Sequence, residues 1–339
     1  MSGKFTFASG GPRAVRWCVM SAVALFAPAT ALAQLSLDMR WDPGAEDCED
    51  ADQRIEARAI DEATIAIRQN PCVDYEANVL YLLVGNERAL LIDSGATDDP
   101  HLTGQLTELV SNYLDRDGTR VPLVVAHTHG HQDHRAGDAA FAALPETIVV
   151  PHDGEAMREF FGLRDWPEGG ARFDLGGRIV EIVPTPGHHQ DHVVFLDSRT
   201  RLLFSGDFLL PGRLLVEDVD AYVASALRVV EAVAAHGTTH ALGAHVEMNS
   251  AGQLYAGGAT HHPDERQIAV AFSMSDANAL GQALRDFNGF YATHRDYVIV
   301  HPLHNLIALG AGVLVAVTLV VWLLRRWLRS RRAVRAAAG

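Results

Sequence analysis

Cysteine is scarce in this chain of 339 residues. Three are present, Cys18, Cys48 and Cys72, and none lies in the histidine-rich segment at residues 127–134. A zinc finger built on thiolates is therefore excluded at that segment. The sequence also lacks an internal repeat at solenoid spacing and a low-complexity linker, which argues against a repeat architecture.

Positive charge is scarce through the middle of the chain. Residues 1–33 carry three Lys or Arg and residues 305–339 carry six, with no Asp or Glu in either segment. The residues between them therefore hold 19 of the 28 basic side chains and all 42 acidic ones, a net charge of −23. Such a charge repels nucleic acid, so we expect no nucleic-acid partner and a neutral or weakly charged small-molecule substrate.

The N-terminus has the composition of a targeting segment. A basic start precedes an apolar run over residues 17–33, which closes with Ala31-Leu32-Ala33, a small-x-small pattern. We predict a signal peptide over residues 1–33 and a mature chain that begins near Gln34.

The C-terminus contains a long apolar run. Residues 306–324 are 19 residues without a charge, enough to cross a hydrocarbon core of about 30 Å as a helix. Apolar residues surround this helix instead of forming a stripe, which favours a membrane span over a buried core helix. We predict a transmembrane helix over residues 305–324 and a basic cytoplasmic tail over residues 325–339, whose six arginines stay inside. The preceding domain is then held by a single span at the inner (cell) membrane and faces the periplasm or the outside of the cell.

Cys48 and Cys72 are the pair that remains once a signal peptide is removed. In an oxidising compartment they either form a disulfide or stay as two buried thiols, and we expect the disulfide. It would tie an acidic N-terminal extension, predicted over residues 34–73, to the start of the core.

Strand-like and helix-like patterns alternate from residue 78 onward. Strand patterns lie at 78–84 and 89–92, as a hairpin, and at 121–126, 148–150, 179–183, 193–197, 202–204 and 240–243. Helical patterns lie at 101–114, 137–144, 155–161, 219–235 and 276–287. The mixture predicts an α/β fold in which two sheets pack face to face with helices outside.

Three imidazoles and one carboxylate lie within six residues directly after the strand pattern at 121–126. The segment reads Thr128-His129-Gly130-His131-Gln132-Asp133-His134. A buried strand that ends in a tight polar loop can point these side chains at two neighbouring ions. We therefore predict a metal site here and not a solvated histidine-rich loop.

Three more candidate ligands follow later strand patterns by one to five residues. Small residues precede each of them and allow the backbone to approach the ions closely. The seven candidate metal ligands are His129, His131, Asp133, His134, His188, Asp207 and His245. They make two sets of nitrogen and oxygen ligands with one carboxylate left to bridge, which is the count of a dinuclear centre.

The run His129-Gly-His131-Gln-Asp133-His134 resembles the His-x-His-x-Asp-His motif of the metallo-β-lactamase superfamily. The resemblance spans most of the outer domain and implies an αββα sandwich, with a catalytic core at residues 74–250. It also implies a division of the ligands: His129, His131 and His188 for the first metal, Asp133, His134 and His245 for the second, Asp207 as the bridge and Asp93 as a support behind them. The pattern is specific for fold and metal binding and poorly specific for substrate.

Differences between this sequence and other branches of the superfamily narrow the choice of function. Asp207 stands where β-lactamases of the Cys-containing type use a thiolate, and the other dinuclear lactamase type lacks the bridging carboxylate. A diiron flavoprotein would carry Glu in the place of His131. The chain therefore resembles the glyoxalase II and lactonase side of the superfamily more than the true β-lactamases.

We expect a metal-dependent hydrolase with two Zn²⁺ per chain, iron being the other metal considered. A hydroxide that bridges the two ions would attack a lactone, ester or thioester, and Asp133, the predicted catalytic residue, would orient it and take its proton. Three alternatives stay open: a mononuclear iron persulfide dioxygenase of the same superfamily, a β-lactamase, and a non-catalytic metal-binding or partner-binding module.

Other histidines receive weaker assignments. His127 is expected to pack behind the site, whereas His189 and His192 either bound the substrate pocket or lie in a solvated loop. Residues 251–304 complete the outer domain, either as a lid over the site or as a packing segment between the core and the membrane.

Overall fold

The computed structural model describes residues 35–51, 53–116 and 118–337, together with Gly3. All of the elements below lie in one unit, Ala33–Gly339. The predicted signal peptide lies outside the described residues except for Gly3.

The chain alternates between strands and helices. The strands are β1 (Ile55–Asp61), β2 (Thr64–Gln69), β3 (Val79–Val84), β4 (Ala89–Ile92), β5 (Asp115–Arg116), β6 (Thr119–Arg120), β7 (Leu123–Ala126), β8 (Thr147–Val149), β9 (Ala171–Asp174), β10 (Ile179–Pro184), β11 (Val193–Asp197), β12 (Leu202–Gly206), β13 (Arg213–Leu215), β14 (His240–Gly243), β15 (Ala269–Ala271), β16 (Tyr291–Thr293) and β17 (Val298–Val300). The α-helices are α1 (Pro100–Leu114), α2 (Gln132–Arg135), α3 (Asp138–Ala142), α4 (Gly154–Phe161), α5 (Val219–His236), α6 (Met274–Arg285) and α7 (Pro302–Ala337), and Cys48–Asp50 forms a single 3₁₀ turn.

Two six-stranded sheets form the body of the domain. The first has the order β1-β2-β3-β4-β7-β8 and the second the order β15-β14-β12-β11-β10-β9. The predicted hairpin is present as the antiparallel pair β3–β4, and β4 pairs in parallel with β7. Each predicted strand and helix pattern therefore corresponds to an element, with ends that differ by a few residues.

The two sheets pack face to face. Tyr81 and Ile92 of the first sheet lie in one buried cluster with Phe195 and Phe204 of the second. Side chains alternate along each strand, so Val194 and its neighbours on the opposite face of β11 pack outward. Both faces of the central strands are covered, which explains why β3 and β11 are apolar without alternation.

Helices cover both outer faces. Leu106 and Val110 of α1 and Phe141 of α3 pack on the first sheet. Val229 of α5 and Leu280 of α6 pack on the second. The layers are therefore helix, sheet, sheet and helix, and the predicted αββα sandwich is confirmed.

Two strands at one end of the first sheet were not predicted from the sequence. β1 and β2 lie at residues that the sequence analysis placed in the acidic extension, yet β2 pairs with β3 from Thr64↔Leu83 to Arg68↔Val79. Charged residues in β1 hide its strand pattern, while every residue of β2 is buried. A third, small sheet with the order β13-β17-β16 was also missed.

The expected disulfide joins Cys48 to Cys72, with a Cα–Cα distance of 5.3 Å. It links the 3₁₀ turn to the segment between β2 and β3. Two free thiols, the alternative, are thereby excluded.

The C-terminal helix α7 extends away from the sandwich. Its segment Pro302–Trp327 is long and apolar enough to cross a membrane. Large apolar side chains along it are exposed, among them Leu306 at 65% and Leu314 at 67%. The run predicted as a span, residues 305–324, lies within this segment.

Candidate metal centre

Four loops meet at one edge of the sandwich, each at the end of a buried strand. β7 leads into the motif at residues 129–134, β10 into His188, β12 into Asp207 and β14 into His245. Gly206 makes the approach possible, since its φ is +51° and a Cβ there would lie 2.7 Å from the Cβ of Thr128. The end of β12 can therefore lie directly against the motif loop.

Three imidazole nitrogens form the first cluster. Nε2 of His129 lies 2.8 Å from Nδ1 of His131 and 3.2 Å from Nε2 of His188, and the last two atoms are 3.2 Å apart. Zinc–nitrogen bonds of about 2.05 Å at a tetrahedral angle place ligand nitrogens about 3.3 Å apart. The spacing of this cluster is close to that of a metal site.

A second cluster lies beside the first. Oδ2 of Asp133 lies 2.8 Å from Nε2 of His134 and 3.4 Å from Nε2 of His245. Asp133, His134 and His245 are one of the groups whose ligand atoms could hold an ion.

Asp207 lies between the two clusters. Its Oδ2 is 3.5 Å from Nε2 of His188 and 4.0 Å from Nε2 of His129, whereas its Oδ1 is 3.2 Å from Nε2 of His245 and 3.5 Å from Nε2 of His134. One oxygen thus faces each cluster, as a bridging carboxylate requires.

Buried polar atoms without a partner indicate whether metal ions fit between the two clusters. Nε2 of His134, Nε2 of His245 and Oδ1 of Asp207 are buried, and within the described ranges none has a hydrogen-bond partner. Buried polar atoms without a partner are costly, and a coordinated cation removes that cost. The donor set of nitrogens and carboxylates matches zinc or iron, so the residues fit two divalent ions.

Backbone carbonyls orient two of the imidazoles. Nδ1 of His188 lies 2.9 Å from the Leu215 carbonyl, and Nδ1 of His245 lies 3.1 Å from the Glu76 carbonyl. A carbonyl accepts, so each Nδ1 carries the proton and each Nε2 presents its lone pair to the centre.

Asp93 orients the third imidazole, that of His134. Its Oδ2 lies 2.8 Å from Nδ1 of His134, and its Oδ1 accepts a hydrogen bond of 2.8 Å from the amide of Thr128. Asp93 has a φ of +65°, uncommon for a residue with a side chain, and is buried at the end of β4. The carboxylate thus lies beneath the motif loop, where the resemblance implied a supporting residue.

The electrostatics of the two clusters differ. Burial lowers the pKa of His129, His131 and His188, so these imidazoles are neutral donors near pH 7. At His134, burial acts in the same direction, but the carboxylates of Asp133, Asp93 and Asp207 raise its pKa well above the usual value. The second cluster thus concentrates negative charge where a cation would bind.

The remaining histidines lie outside the two clusters. Nε2 of His127 lies 2.8 Å from Oδ1 of Asp138, which places the imidazole behind the motif. His192 is buried, and its Nε2 accepts a hydrogen bond of 3.3 Å from the amide of Asp207. The partly exposed ring of His189 lies 5.1 Å from that of His131, centroid to centroid, at the rim of the site.

Two contributors were missed by sequence reasoning. Nδ2 of Asn78 donates to Oδ2 of Asp133 at 3.2 Å, and Glu76 supplies the carbonyl that orients His245. Both lie just before β3, and one sequence offers no signal that this loop reaches the motif.

A cleft of about 200 Å³ opens beside the centre. Its walls include Glu76 and Leu215, the two residues whose carbonyls orient metal-facing histidines. The segment predicted as a possible lid contributes Tyr255, Gly257 and His262 to the same cleft. That segment therefore lines a cleft whose walls include two residues that support the centre.

The metallo-β-lactamase superfamily model matches residues 75–270, more than half of the chain. The chain belongs to this superfamily. The match includes all four loops that carry the two clusters and confirms the resemblance that their motif indicated.

Several known proteins are similar to this superfamily member. A thioesterase, pkgB, of Emericella nidulans is 31% identical over 43% of this chain and 40% of its own length. A hydroxyacylglutathione hydrolase of Rhodopseudomonas palustris is 32% identical over 34% of this chain and 44% of its own length. The chain thus spans less than half the length of these two relatives. A solved metallo-β-lactamase from Pontibacter korlensis is 15% identical, with a TM-score of 0.45, and covers 69% of this chain and all of its own.

Proposed function

We propose that this chain is a membrane-anchored, outward-facing dinuclear zinc hydrolase that cleaves a lactone, ester or thioester. The observation that carries the proposal is the position of Asp207, whose two carboxylate oxygens face two separate clusters of ligand atoms. A mononuclear dioxygenase needs one cluster of ligands, and a binding module needs no intact bridge.

The proposed ligands divide between the clusters. His129, His131 and His188 would hold the first ion, Asp133, His134 and His245 the second, and Asp207 both. When bound, two zinc ions supply Lewis acidity toward an acyl carbonyl and make water acidic enough to act as a nucleophile near neutral pH.

Asp133 is the proposed catalytic residue. Its Oδ2 is fixed by Asn78, and its carboxylate lies at the partly exposed side of the second cluster. Asp133 would orient the water, accept its proton and return a proton to the leaving oxygen or sulfur. The water oxygen forms a bond to the acyl carbon, and the leaving group departs with the electron pair of the broken bond.

The anchor and the orientation rest on other observations. α7 is long and apolar enough to span a membrane, and the arginine-rich residues 325–339 follow the predicted span. Those arginines favour the cytoplasmic side, and the disulfide Cys48–Cys72 suits an oxidising compartment. Together they support an inner-membrane protein whose domain faces the periplasm or the outside of the cell.

Two of the similar proteins favour thioester chemistry over lactam chemistry. One is named a thioesterase and another a hydroxyacylglutathione hydrolase. Both names describe transfer of an acyl group from sulfur to water. We therefore place thioesters and esters first and β-lactams last.

The test begins with metal content. The full chain is purified in detergent without added metal, and elemental analysis measures metal per chain before a panel of lactone, ester, thioester and β-lactam substrates is assayed. Two zinc ions with thioester, ester or lactone turnover support the proposal, provided that Asp207→Ala and His131→Ala abolish it. One iron with oxygen uptake would favour the dioxygenase, turnover of β-lactams alone the β-lactamase, and a chain without metal the binding module.

A further inference from the structure

The strand that leads into the apolar helix pairs with a strand that runs beside the metal centre. β17 ends at Val300, two residues before α7 begins at Pro302. It pairs in parallel with β13, where Leu215 lies opposite Val300, and the amide of Val216 donates to the Val300 carbonyl at 2.8 Å. Leu215 is also the residue that orients His188. One strand, β13, therefore lies between the first cluster and the strand that leads into α7.

The path from the helix to the centre is correspondingly short. Two extended residues span at most about 7 Å, and neighbouring strands lie about 4.8 Å apart. The Leu215 carbonyl lies 2.9 Å from Nδ1 of His188. Adding the width of the imidazole, Nε2 of His188 lies within about 20 Å of Pro302.

Hydrogen bonds fix the first turn of α7 to the domain. Nδ2 of Asn305 donates to the Phe290 carbonyl at 2.6 Å, and the amide of His301 donates to the same carbonyl at 3.1 Å. Nδ1 of His304 donates to the Gly289 carbonyl at 2.8 Å. These bonds attach the base of the helix to the turn at residues 289 and 290.

The turn that receives these bonds exposes two aromatic side chains. Phe290 is 46% exposed and Tyr291 is 47% exposed, beside Leu303 in the first turn of the helix at 58%. Aromatic rings at the end of a membrane span occupy the headgroup region, where their apolar surface leaves water and a hydroxyl stays hydrated. Continuity with α7 identifies the bilayer surface as the occupant of this patch.

The cleft is lined in part by β13, the strand that pairs with β17. β13 supplies Arg213 and Leu215 to its wall, and Tyr75 and Tyr255 add aromatic surface. β13 therefore lines the cleft and also pairs with β17, the strand that leads into α7.

We propose that the cleft takes its substrate from the membrane, an amphiphilic acyl ester or thioester whose chain stays in the bilayer while Phe290 and Tyr291 lie among the headgroups. This assignment rests on the proposed hydrolytic function and names its substrate class. Water adds across the acyl–oxygen or acyl–sulfur bond and yields a carboxylic acid and an alcohol or thiol. Because the outer domain is strongly acidic, an uncharged or zwitterionic head group suits it best.

Membrane contact is tested without reference to activity. Full-length Phe290→Trp is reconstituted in phosphatidylcholine vesicles with brominated chains, and Leu227→Trp, at an equally exposed site on α5, is the control. We expect the added fluorescence of the Phe290→Trp variant to be quenched at least about twofold and that of the Leu227→Trp variant to be unchanged. Equal quenching in the two variants, or none in Phe290→Trp, would overturn the membrane contact.

Substrate delivery is tested with two thioesters, a dodecanoyl thioester dissolved in the vesicles and an acetyl thioester in the water. We expect the double variant Phe290→Ser, Tyr291→Ser to lose about tenfold in kcat/KM for the first and less than about twofold for the second. The matched control, Ile148→Ser with Leu227→Ser, removes equally exposed apolar side chains elsewhere and should change neither. Equal losses on both thioesters would overturn the delivery route. If the fluorescence of Phe290→Trp is quenched but the protein hydrolyses neither thioester, the hydrolase and its substrate class would be refuted and the membrane contact would stand.

Discussion

Oδ1 of Asp207 lies 3.2 Å from Nε2 of His245, and neither atom has a hydrogen bond within the part of the chain that the structure describes. The burial of both atoms would be costly in a protein that left them unpaired. The opposite carboxylate oxygen faces His188. Both clusters therefore depend on the negative charge of Asp207 as well as on the shape of its side chain.

Asp207→Asn tests the charge, because it keeps the shape of the side chain. We expect the variant to retain its fold but to hold less than one metal ion per chain, with turnover lowered by about 10²-fold or more. Elemental analysis and kinetics on the same preparation measure both effects. Asp218→Asn, at the N-cap of α5, is a control for the loss of a carboxylate elsewhere on the domain. Full metal content and turnover in Asp207→Asn would exclude Asp207 as a bridge.

Asp93→Asn tests the support behind the centre. An amide accepts more weakly than a carboxylate and can offer its NH₂ group to Nδ1 of His134, which would favour the wrong tautomer. Loss of such a partner typically lowers metal affinity or activity 10- to 100-fold, about the loss expected here. A competition titration against a chelator measures the affinity, with Asp98→Asn at an exposed position as the control. Unchanged affinity would mean that Asp93 serves the motif loop alone.

The sequence predicted the parts of this molecule that follow from local patterns. The strand at Leu123–Ala126 was recognised because four consecutive apolar residues precede a polar loop. β1 was missed because Glu56, Arg58 and Asp61 interrupt its pattern, and its place at a sheet edge depends on pairing with β2. Asn78 and Glu76 reach the site only through the fold. Contacts between distant segments have no local signature, so these two could not be predicted.

His262 is expected to make the stability of the domain depend on pH. Burial first, and then the charge of Arg68, lower the pKa of His262 to about 4. The folded state therefore keeps this imidazole neutral, while the unfolded chain binds a proton below its ordinary pKa of about 6.5. Stability is unaffected above pH 6.5 and falls as the pH decreases from 6.5 to 4, by on the order of 2 kcal/mol.

Chemical denaturation of the detergent-purified full chain at several pH values measures this effect. His262→Gln should flatten the loss between pH 6.5 and 4, whereas His261→Gln, at the neighbouring and more exposed position, should leave it unchanged. An identical pH profile in His262→Gln and the parent protein would contradict the assignment.

The disulfide is expected to stabilise the domain by restricting the unfolded chain. Cys48 and Cys72 are 24 residues apart, and closing a loop of this length contributes about 3 kcal/mol on the chain-entropy model. Cys48→Ser with Cys72→Ser should lower the free energy of unfolding by this amount. A reductant should have the same effect on the parent protein and none on the double variant. A parent protein whose denaturation midpoint resists the reductant would contradict the prediction.

Arg178 and Asp197 form a buried ion pair on the second sheet, and Arg178 also donates hydrogen bonds to the first sheet. Nε and Nη2 of Arg178 donate to the two carboxylate oxygens of Asp197 at 2.9 and 2.8 Å. Nη1 donates to the Ala63 carbonyl at 2.6 Å, and Nη2 also donates to Oγ1 of Thr64 at 2.7 Å. Burial alone would raise the pKa of Asp197, but hydrogen bonds from Arg178 and Thr200 hold it below its usual value. The carboxylate is therefore charged, buried and dependent on its partner.

Arg178→Ala should consequently destabilise the domain by about 3 to 5 kcal/mol, because it leaves the Asp197 charge buried without its main partner. Arg178→Met combined with Asp197→Leu removes both charges and should recover part of this loss, although Ala63 and Thr64 lose a donor. Denaturation of the single and double variants measures the difference. A double variant no more stable than Arg178→Ala would contradict a cost that is set by the unpaired charge of Asp197.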